Sequence, residues 1–504
     1  MRQKFAQLFH SDNGVLLLIS LAFIALHFLN NGQYGFHRDE LVTLDDARHM
    51  EWGFVAYPPL TPAMGRIALE LFGNSLFGIR VLPTIALAVA VFIAGLIARE
   101  LGGSRRSQVL TAITVAIIPI VSIQTNVLQY VSFDYLWGVL LTYFVIRLLN
   151  TDDPRWWVPI GTVIGLGMMT KYTMGFFVLG LAAGVLPTST RRHLLSRWLF
   201  LGVAVSLLIF LPNFVWQLRH DFISLDFLRH IHARDIRWGR TKGFIPEQLF
   251  VCLNLFTVPL AFLGLWFYFT KQGRKYRLLG WMYAFTFALF VIAQARSYYL
   301  GPLYPILIAA GAIVWERWLA TRLRGTALAM QSVAWLLVVV GAITSAAFFT
   351  PAAPINSRLW HSVSKLHENY TEEIGWPELT KTVADVYRSL PAEEQARTGI
   401  IVGNYGEAGA INIYGPKYGL PPVISGTNSL WYRTYPKSEP QSLIVVGFDD
   451  DEIKELFQSC DLVAHNTKPY GVVNEESRYH PDIYLCHNLR QSWPDFWKEF
   501  RRYG

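Results

Sequence analysis

The run Val15-Leu16-Leu17-Leu18-Ile19-Ser20-Leu21-Ala22-Phe23-Ile24-Ala25-Leu26-His27-Phe28-Leu29, followed by Gly35-Phe36-His37-Arg38-Asp39-Glu40, decides how the rest of the chain reads. The first part is apolar over nearly the length that crosses a bilayer, about 20 residues. The second sets an arginine and two carboxylates at the mouth of that segment. Ionised groups near the hydrocarbon zone are costly and seldom kept without a use. The stretch continues through Tyr57-Pro58-Pro59-Leu60 to Arg66. A loop from 31 to 75, rich in charge, rings and proline, thus separates the first apolar run from the second.

Outward from that loop, the composition agrees. Of 504 residues, 52% are hydrophobic and only 16% charged, against about 25% charged in ordinary soluble domains. This excludes a wholly soluble protein. Apolar segments fall near 14–30, 76–98, 109–128, 133–149, 157–170, 172–187, 198–215, 248–269, 278–294, 302–318 and 327–349, about eleven membrane-spanning candidates. Lys171 divides 157–170 from 172–187, which read either as two shortened spans or as one re-entrant hairpin. No small-residue cleavage site follows the first run, so it reads as a retained span. Trp156, Trp157, Trp198, Trp281, Tyr298 and Tyr299 flank apolar runs, as rings that favour the interface do.

The net charge of +8 says less than its placement. Arg2 and Lys4, then Arg99/Arg105/Arg106, Arg147/Arg155, Arg191/Arg192/Arg197, Lys271/Arg274/Lys275/Arg277 and Arg317/Arg322/Arg324 all fall on one side of that span count. The positive-inside tendency makes this side cytoplasmic. The loops 31–75 and 217–248, and everything after about 350, then face outward.

After Pro351-Ala352-Ala353-Pro354 the chain turns polar and mixed. Ile400–Gly403, Pro422–Ser425, Leu443–Phe448 and Ile483–Cys486 read as short buried strands, with helical spacing at Thr380–Leu390 and Asp450–Gln458. The chain therefore divides into a membrane part, 1–349, and an outward α/β domain, 350–504, large enough for its own core. Cys460 and Cys486 both lie in the second part. An oxidising compartment permits a bridge between them, and two buried thiols fit equally well. Cys252 lies in a span.

Several polar groups can carry chemistry. Asp39 reads either as a proton acceptor at the membrane surface or as the N-cap of a helix from Glu40 to about Glu51, with Glu40 complementing its dipole. Asp134, in Ser132-Phe133-Asp134-Tyr135, lies at the next outward turn and is either a second carboxylate near Asp39 or another cap. Lys171, Arg296 and Arg66 are cations on the outward level, against the positive-inside tendency. A phosphate would account for them through charge-assisted hydrogen bonds; snorkelling to headgroups is the other reading. The loop His220–Lys242, with His230, His232, Arg234, Arg237 and Arg240, reads as a lipid-phosphate contact or a solvated loop. Its histidines match no metal-ligand spacing. Gly403-Asn404-Tyr405-Gly406-Glu407-Ala408-Gly409 follows a strand without the dinucleotide spacing and reads as a turn opening a helix. No nucleotide fingerprint occurs in the chain, and nothing points to nucleic acid.

His37-Arg38-Asp39-Glu40 with Pro58-Pro59-Leu60 resembles family 39 glycosyltransferases of the GT-C fold, which include protein O-mannosyltransferases and lipid A aminoarabinose transferases. So do Phe133-Asp134-Tyr135, Gly165-Leu166-Gly167 with Thr170-Lys171-Tyr172, and Tyr298-Tyr299-Leu300 with Pro302 and Pro305. Asn404–Gly409 and Asn474-Glu475-Glu476 look like the C-terminal domain of bacterial members. The resemblance implies a polytopic helical membrane enzyme that moves a sugar from a polyprenyl-phosphate donor to a lipid, glycan or protein acceptor on the outer face of the plasma membrane. It maps the base onto Asp39, of the pair Asp39–Glu40, and a second acid onto Asp134. Lys171 and Arg296, with Tyr298, Tyr299 and Arg66, would meet the donor phosphate. One departure stands out: aminoarabinose transferases carry a lysine just before the two prolines, where this chain has Ala56-Tyr57. No cofactor is assigned, with a divalent cation left open. A transporter or lipid flippase is the rival reading.

Overall fold

The computed structural model describes residues 11–366 and 368–504; Arg2 and Lys4 of the basic set lie outside the described residues. Five helices there are long and apolar enough to cross a membrane: Leu76–Glu100, Tyr130–Thr151, Arg197–Arg219, Ser297–Ala320 and Arg324–Phe349. Shorter apolar helices, among them Asp12–Phe28, Met174–Val185 and Val258–Phe269, complete the bundle. Arg197–Arg219 and Arg324–Phe349 are as apolar as the rest yet mostly uncovered by protein, with Leu208, Leu211, Leu336 and Ile343 exposed. Such faces suit a lipid surround.

Two expected spans are broken, each for a local reason. The segment 109–128 bends by 61° between Arg105–Ala116 and Pro119–Thr125. The proline disfavours helical geometry at Ile118, whose backbone is extended. The segment 248–269 separates into Phe244–Phe250 and Val258–Phe269. Asn254 sits in the gap and donates to the carbonyls of Ile117 and Gly341, each at 3.1 Å, which ties three segments together at depth. The helices Val258–Phe269 and Tyr304–Ala320 meet through Gly264 and Gly311, where a Cβ would lie 1.8 Å from the facing carbonyl oxygen. Small residues permit such close helix approach in membranes.

At one end of the bundle, Arg105 pairs with Asp12, Arg99 donates to Asn13, and Arg147 and Tyr276 reach Glu100. At the other end lie the first loop and the C-terminal domain. The loop folds into the helices Arg38–Arg48 and Leu60–Phe72. Asp39 is not the N-cap. His37 takes that place: its Nδ1 accepts from the Asp39 amide at 3.1 Å, and the His37 amide donates to the Glu40 carboxylate at 2.9 Å. The helix therefore starts two residues earlier than expected and ends at Arg48, which leaves the Asp39 carboxylate available for other partners.

The C-terminal domain is a five-stranded sheet. Its strands are β1 (Thr398–Val402), β2 (Val423–Ile424), β3 (Ser442–Val446), β4 (Phe457–His465) and β5 (Asp482–Leu489). They lie in the order β2-β1-β3-β5-β4, with β1 parallel to both neighbours and β5 antiparallel to β3 and β4. β4 is a correction: the helix expected over Asp450–Gln458 stops at Leu456 and an edge strand begins. Cys460 and Cys486 face each other across β4 and β5 and are disulfide-bonded. Because the bridge joins residues 26 apart, its reduction is expected to lower the stability of this domain by about 3 kcal/mol. Denaturant titration of Cys460→Ser/Cys486→Ser against the parent measures it.

First loop and C-terminal domain share one core. Phe36, Leu41 and Leu44 pack with Trp376, Val383, Ile400 and Ile411. Gly409 lies so close to the first-loop helix that a Cβ there would stand 2.6 Å from the Leu41 carbonyl carbon. Polar ties reinforce the seam. Arg38 pairs with Glu475, Arg433 with Asp45 and Asp46, and Asn412 donates to Asp45 at 3.0 Å.

Candidate functional site

Beneath that seam lies a cavity of about 140 Å³, bounded by Asp39, Asp46, Gln129, Lys171, Arg234, Arg296 and other residues of six regions. The first-loop helix supplies Asp39, Thr43 and Asp46 at helical spacing, so one face looks into the hollow. The turn before the span Tyr130–Thr151 supplies Gln129 and Tyr130. The turn between Trp157–Met168 and Met174–Val185 supplies Lys171. The C-terminal domain supplies Tyr405, Asn428, Ser429 and Leu430.

Both carboxylate oxygens of Asp39 are engaged. Gln129 Nε2 donates to Oδ2 at 2.6 Å and the Tyr405 hydroxyl donates to Oδ1 at 3.0 Å. Burial works to raise this carboxyl, but His37, Arg38 and the two hydrogen bonds outweigh it and hold the group below the ordinary aspartate value. Burial lowers the His37 pKa, and its Nδ1 accepts from the Asp39 amide.

Facing Asp39 is a wall of cations. The Lys171 ammonium lies 3.9 Å from the centre of the Tyr130 ring, a favourable cation–π placement. The turn that carries it is held to the first loop by the Leu60 amide, which donates to the Met169 carbonyl at 2.9 Å. Arg296 is gripped in two-pronged fashion by Asp235, at 2.7 and 2.9 Å. The Tyr130 and Tyr298 hydroxyls lie 3.0 Å apart, and Tyr299 lines the hollow beside them. The segment His220–Lys242 is no loose loop: Ile223–Arg237 is a helix whose Phe227, Leu228, Ile231 and Arg234 line the cavity.

The remaining expected site residues stand elsewhere. Glu40 is fully buried away from the hollow. It receives two bonds from Arg80, at 2.7 and 3.1 Å, and one each from the amides of Leu128 and His37. Arg66 is exposed and pairs with Glu70 one helical turn on, outside the cavity lining. Asp134 is buried outside the cavity lining and accepts from Thr173 at 3.3 Å. Gln129, Tyr405 and Asp46 were not singled out by sequence. Asp46 accepts from Tyr57 at 2.8 Å and contacts Arg433 at 2.7 Å. A lone glutamine and a tyrosine in a helix-opening turn carry no sequence signal of their own; Arg234 at least lay in a basic segment. Among the described residues no group of three or more His, Cys, Asp or Glu could hold a metal ion.

The helical bundle and its capping domain share the GT-C fold of two solved structures. The solved structure of ArnT from Cupriavidus metallidurans bound to undecaprenyl phosphate superposes with a TM-score of 0.59 over 94% of this chain and 98% of that one, at 15% identity. The Archaeoglobus fulgidus oligosaccharyltransferase tethered to an acceptor peptide gives 0.53 over 80% of this chain and 63% of that one, at 13% identity.

More particularly, residues 56–216 match the model of the dolichyl-phosphate-mannose-protein mannosyltransferase family. An undecaprenyl phosphate-alpha-4-amino-4-deoxy-L-arabinose arabinosyl transferase of Pseudomonas fluorescens is 27% identical over 285 residues, 51% of this chain and 49% of the relative. The lipid A galacturonosyltransferase RgtD of Rhizobium johnstonii is 26% identical over 275 residues, 53% and 54% respectively. The chain thus spans about half the length of the curated relatives it matches.

Proposed function

We propose that this protein is a glycosyltransferase of the cell's inner membrane, with its first loop and C-terminal domain outside the cytoplasm. It takes a sugar from a polyprenyl-phosphate donor, as the name of the arabinosyl transferase relative suggests, and passes it to a lipid, glycan or protein acceptor, a lipid being favoured by the name of the galacturonosyltransferase relative. The observation that carries this reading is that the carboxylate of Asp39 and three cations, Lys171, Arg234 and Arg296, bound the same cavity, while Asp46, also in its lining, is paired with Arg433. A phosphate at the cation wall puts the adjoining anomeric carbon toward Asp39.

Asp39 takes the proton from an acceptor O–H or N–H as the freed pair attacks the anomeric carbon. The carbon–oxygen bond to phosphate breaks on the opposite face, its electrons pass to the phosphate oxygen, and the configuration inverts. Lys171, Arg296 and the tyrosine hydroxyls stabilise the charge that grows on the departing polyprenyl phosphate. Glu40, locked to Arg80, keeps the first-loop helix in place. Asp134, near enough to Lys171 to interact with it electrostatically, favours the charged form of that lysine.

The test uses purified protein in vesicles containing undecaprenyl phosphate-linked 4-amino-4-deoxy-L-arabinose labelled in the sugar, with lipid A as acceptor, and a set of other lipid-linked sugars in parallel. Release of free undecaprenyl phosphate with at least one donor is expected. Movement of donor between leaflets with no release would establish a flippase instead. Lys171→Ala and Arg296→Ala are each expected to lower kcat by about 100- to 1,000-fold, the usual effect of removing one donor to a developing anion; single-turnover rates at saturating donor measure it.

A further inference from the structure

Tyr405 belongs to the C-terminal domain, yet its hydroxyl bonds to Asp39 of the first loop, 366 residues away in sequence. The tyrosine is placed with care. Asn404 caps its helix, accepting from the amides of Gly406 at 2.8 Å and Glu407 at 3.0 Å. Asn404 Nδ2 in turn donates to Glu476 at 2.9 Å, and Arg38 lies 5.8 Å from the Tyr405 ring centre. The same Arg38 pairs with Glu475, next to Glu476. The turn that opens this helix is therefore fixed from three directions, with its phenol aimed at the carboxylate.

We propose that Tyr405 is a positioning residue for Asp39: its hydrogen bond fixes the carboxylate's orientation in the cavity, so that the C-terminal domain completes the site. This rests on the glycosyltransferase reading for the meaning of Asp39 but not for the contact itself. With Oδ1 held by Tyr405 and Oδ2 by Gln129, the carboxylate cannot swing toward Lys171 and close the cavity with an internal ion pair. Its remaining lone pairs stay directed at the hollow. Burial pushes the phenol above its ordinary value, so it stays a neutral donor throughout the working range. The other titratable or charged groups around Asp39 are its N-cap neighbour His37, Arg38 and Asp46 on its own helix, Lys171 on the facing turn, Tyr57 in the first loop, and Arg234 and Arg296 across the cavity.

The sign of the pH effect follows. A hydrogen bond donated to the ionised form lowers the carboxyl pKa, so removing it raises that pKa. Tyr405→Phe keeps the ring and loses only the hydroxyl. A bond to a charged group of the usual strength corresponds to an upward move of about one to two pH units. Site-specific 3,5-difluorotyrosine at 405 donates more strongly and moves the titration the other way.

Two readouts on full-length protein test this. The first follows carbodiimide labelling of Asp39 with pH by peptide mass spectrometry; it traps the protonated carboxyl and needs no substrate. The midpoint is expected to rise in Tyr405→Phe and fall with difluorotyrosine. Midpoints that stay with the parent in both proteins overturn the proposal. The second is the acid limb of kcat/KM with the lipid-linked aminoarabinose donor, which is expected to follow the same order, with kcat reduced more than KM is raised. A limb that ignores both substitutions while labelling shifts would contradict the role of Asp39 in turnover and leave its contact with Tyr405 standing. Absence of turnover with every lipid-linked sugar tested would remove the glycosyltransferase reading alone.

Discussion

Asp39→Asn is expected to reduce sugar transfer by about 100- to 10,000-fold, the range that a positioned general base contributes. The substitution is nearly isosteric. The Asn carbonyl can still accept one of the two bonds now made by Gln129 and Tyr405. The hydroxyl of Tyr405 can turn to accept from the new amide, so neither partner is left buried and unpaired. The cation wall is untouched, so donor affinity should change little. The expected signature is a collapse in kcat with donor KM near that of the parent, which marks an interaction made in the transition state. Single-turnover measurements at saturating donor read it, with thermal melts in detergent confirming the fold. A variant transferring sugar at the parent rate would remove Asp39 from the chemistry.

Arg80→Met is expected to be the most destabilising single change, at about 3–5 kcal/mol. Arg80 is fully buried and binds Glu40, lies 3.3 Å from Glu373, and donates to the carbonyls of Asn31 and Gly35 at 3.2 and 2.8 Å. One guanidinium thus holds the start of the second apolar helix, both ends of the turn after the first, and the C-terminal domain. Without it, Glu40 and Glu373 face each other with no counter-charge. Glu373 is already pushed up to about 8, by burial first and by Glu40 in part, against the pull of Arg80. Glu40→Gln keeps neutral acceptors for the amides and should be milder. Thermal denaturation of the two variants, compared with donor turnover in whatever folded fraction remains, separates the roles. Glu40→Gln should lower the melting temperature while the folded enzyme keeps most of its rate.

The membrane architecture was legible because apolar runs of bilayer length have few other uses. The breaks at Ile118 and around Asn254 were not, since each depends on one residue inside an otherwise continuous run. The loop was read as functional because costly charge sits beside it, and the cavity does gather Asp39, Lys171, Arg296 and Tyr299. The carboxylate of the pair that tertiary contacts consume, Glu40, looked as chemical as its neighbour, because an arginine forty residues away cannot be paired with it by local pattern. His37 was not seen as a cap: the preference of aspartate for that position is a propensity, and here the glutamate three residues on decided otherwise. Tyr405 illustrates the hardest case. Its turn was read correctly as the start of a helix, but its target lies in another region of the chain and becomes visible only when the two share a core. β4 escaped because, as an exposed edge strand, it lacks the buried apolar run that marked the others.

The most direct test of the central claim is a structure of Asp39→Asn, in which turnover is stalled, bound to the lipid-linked sugar it consumes. The phosphate is expected within hydrogen-bonding reach of Lys171 and Arg296, with the anomeric carbon turned toward residue 39. A phosphate seated outside this cavity, or a sugar on the far side of it from residue 39, would contradict the proposal that these groups carry out sugar transfer together.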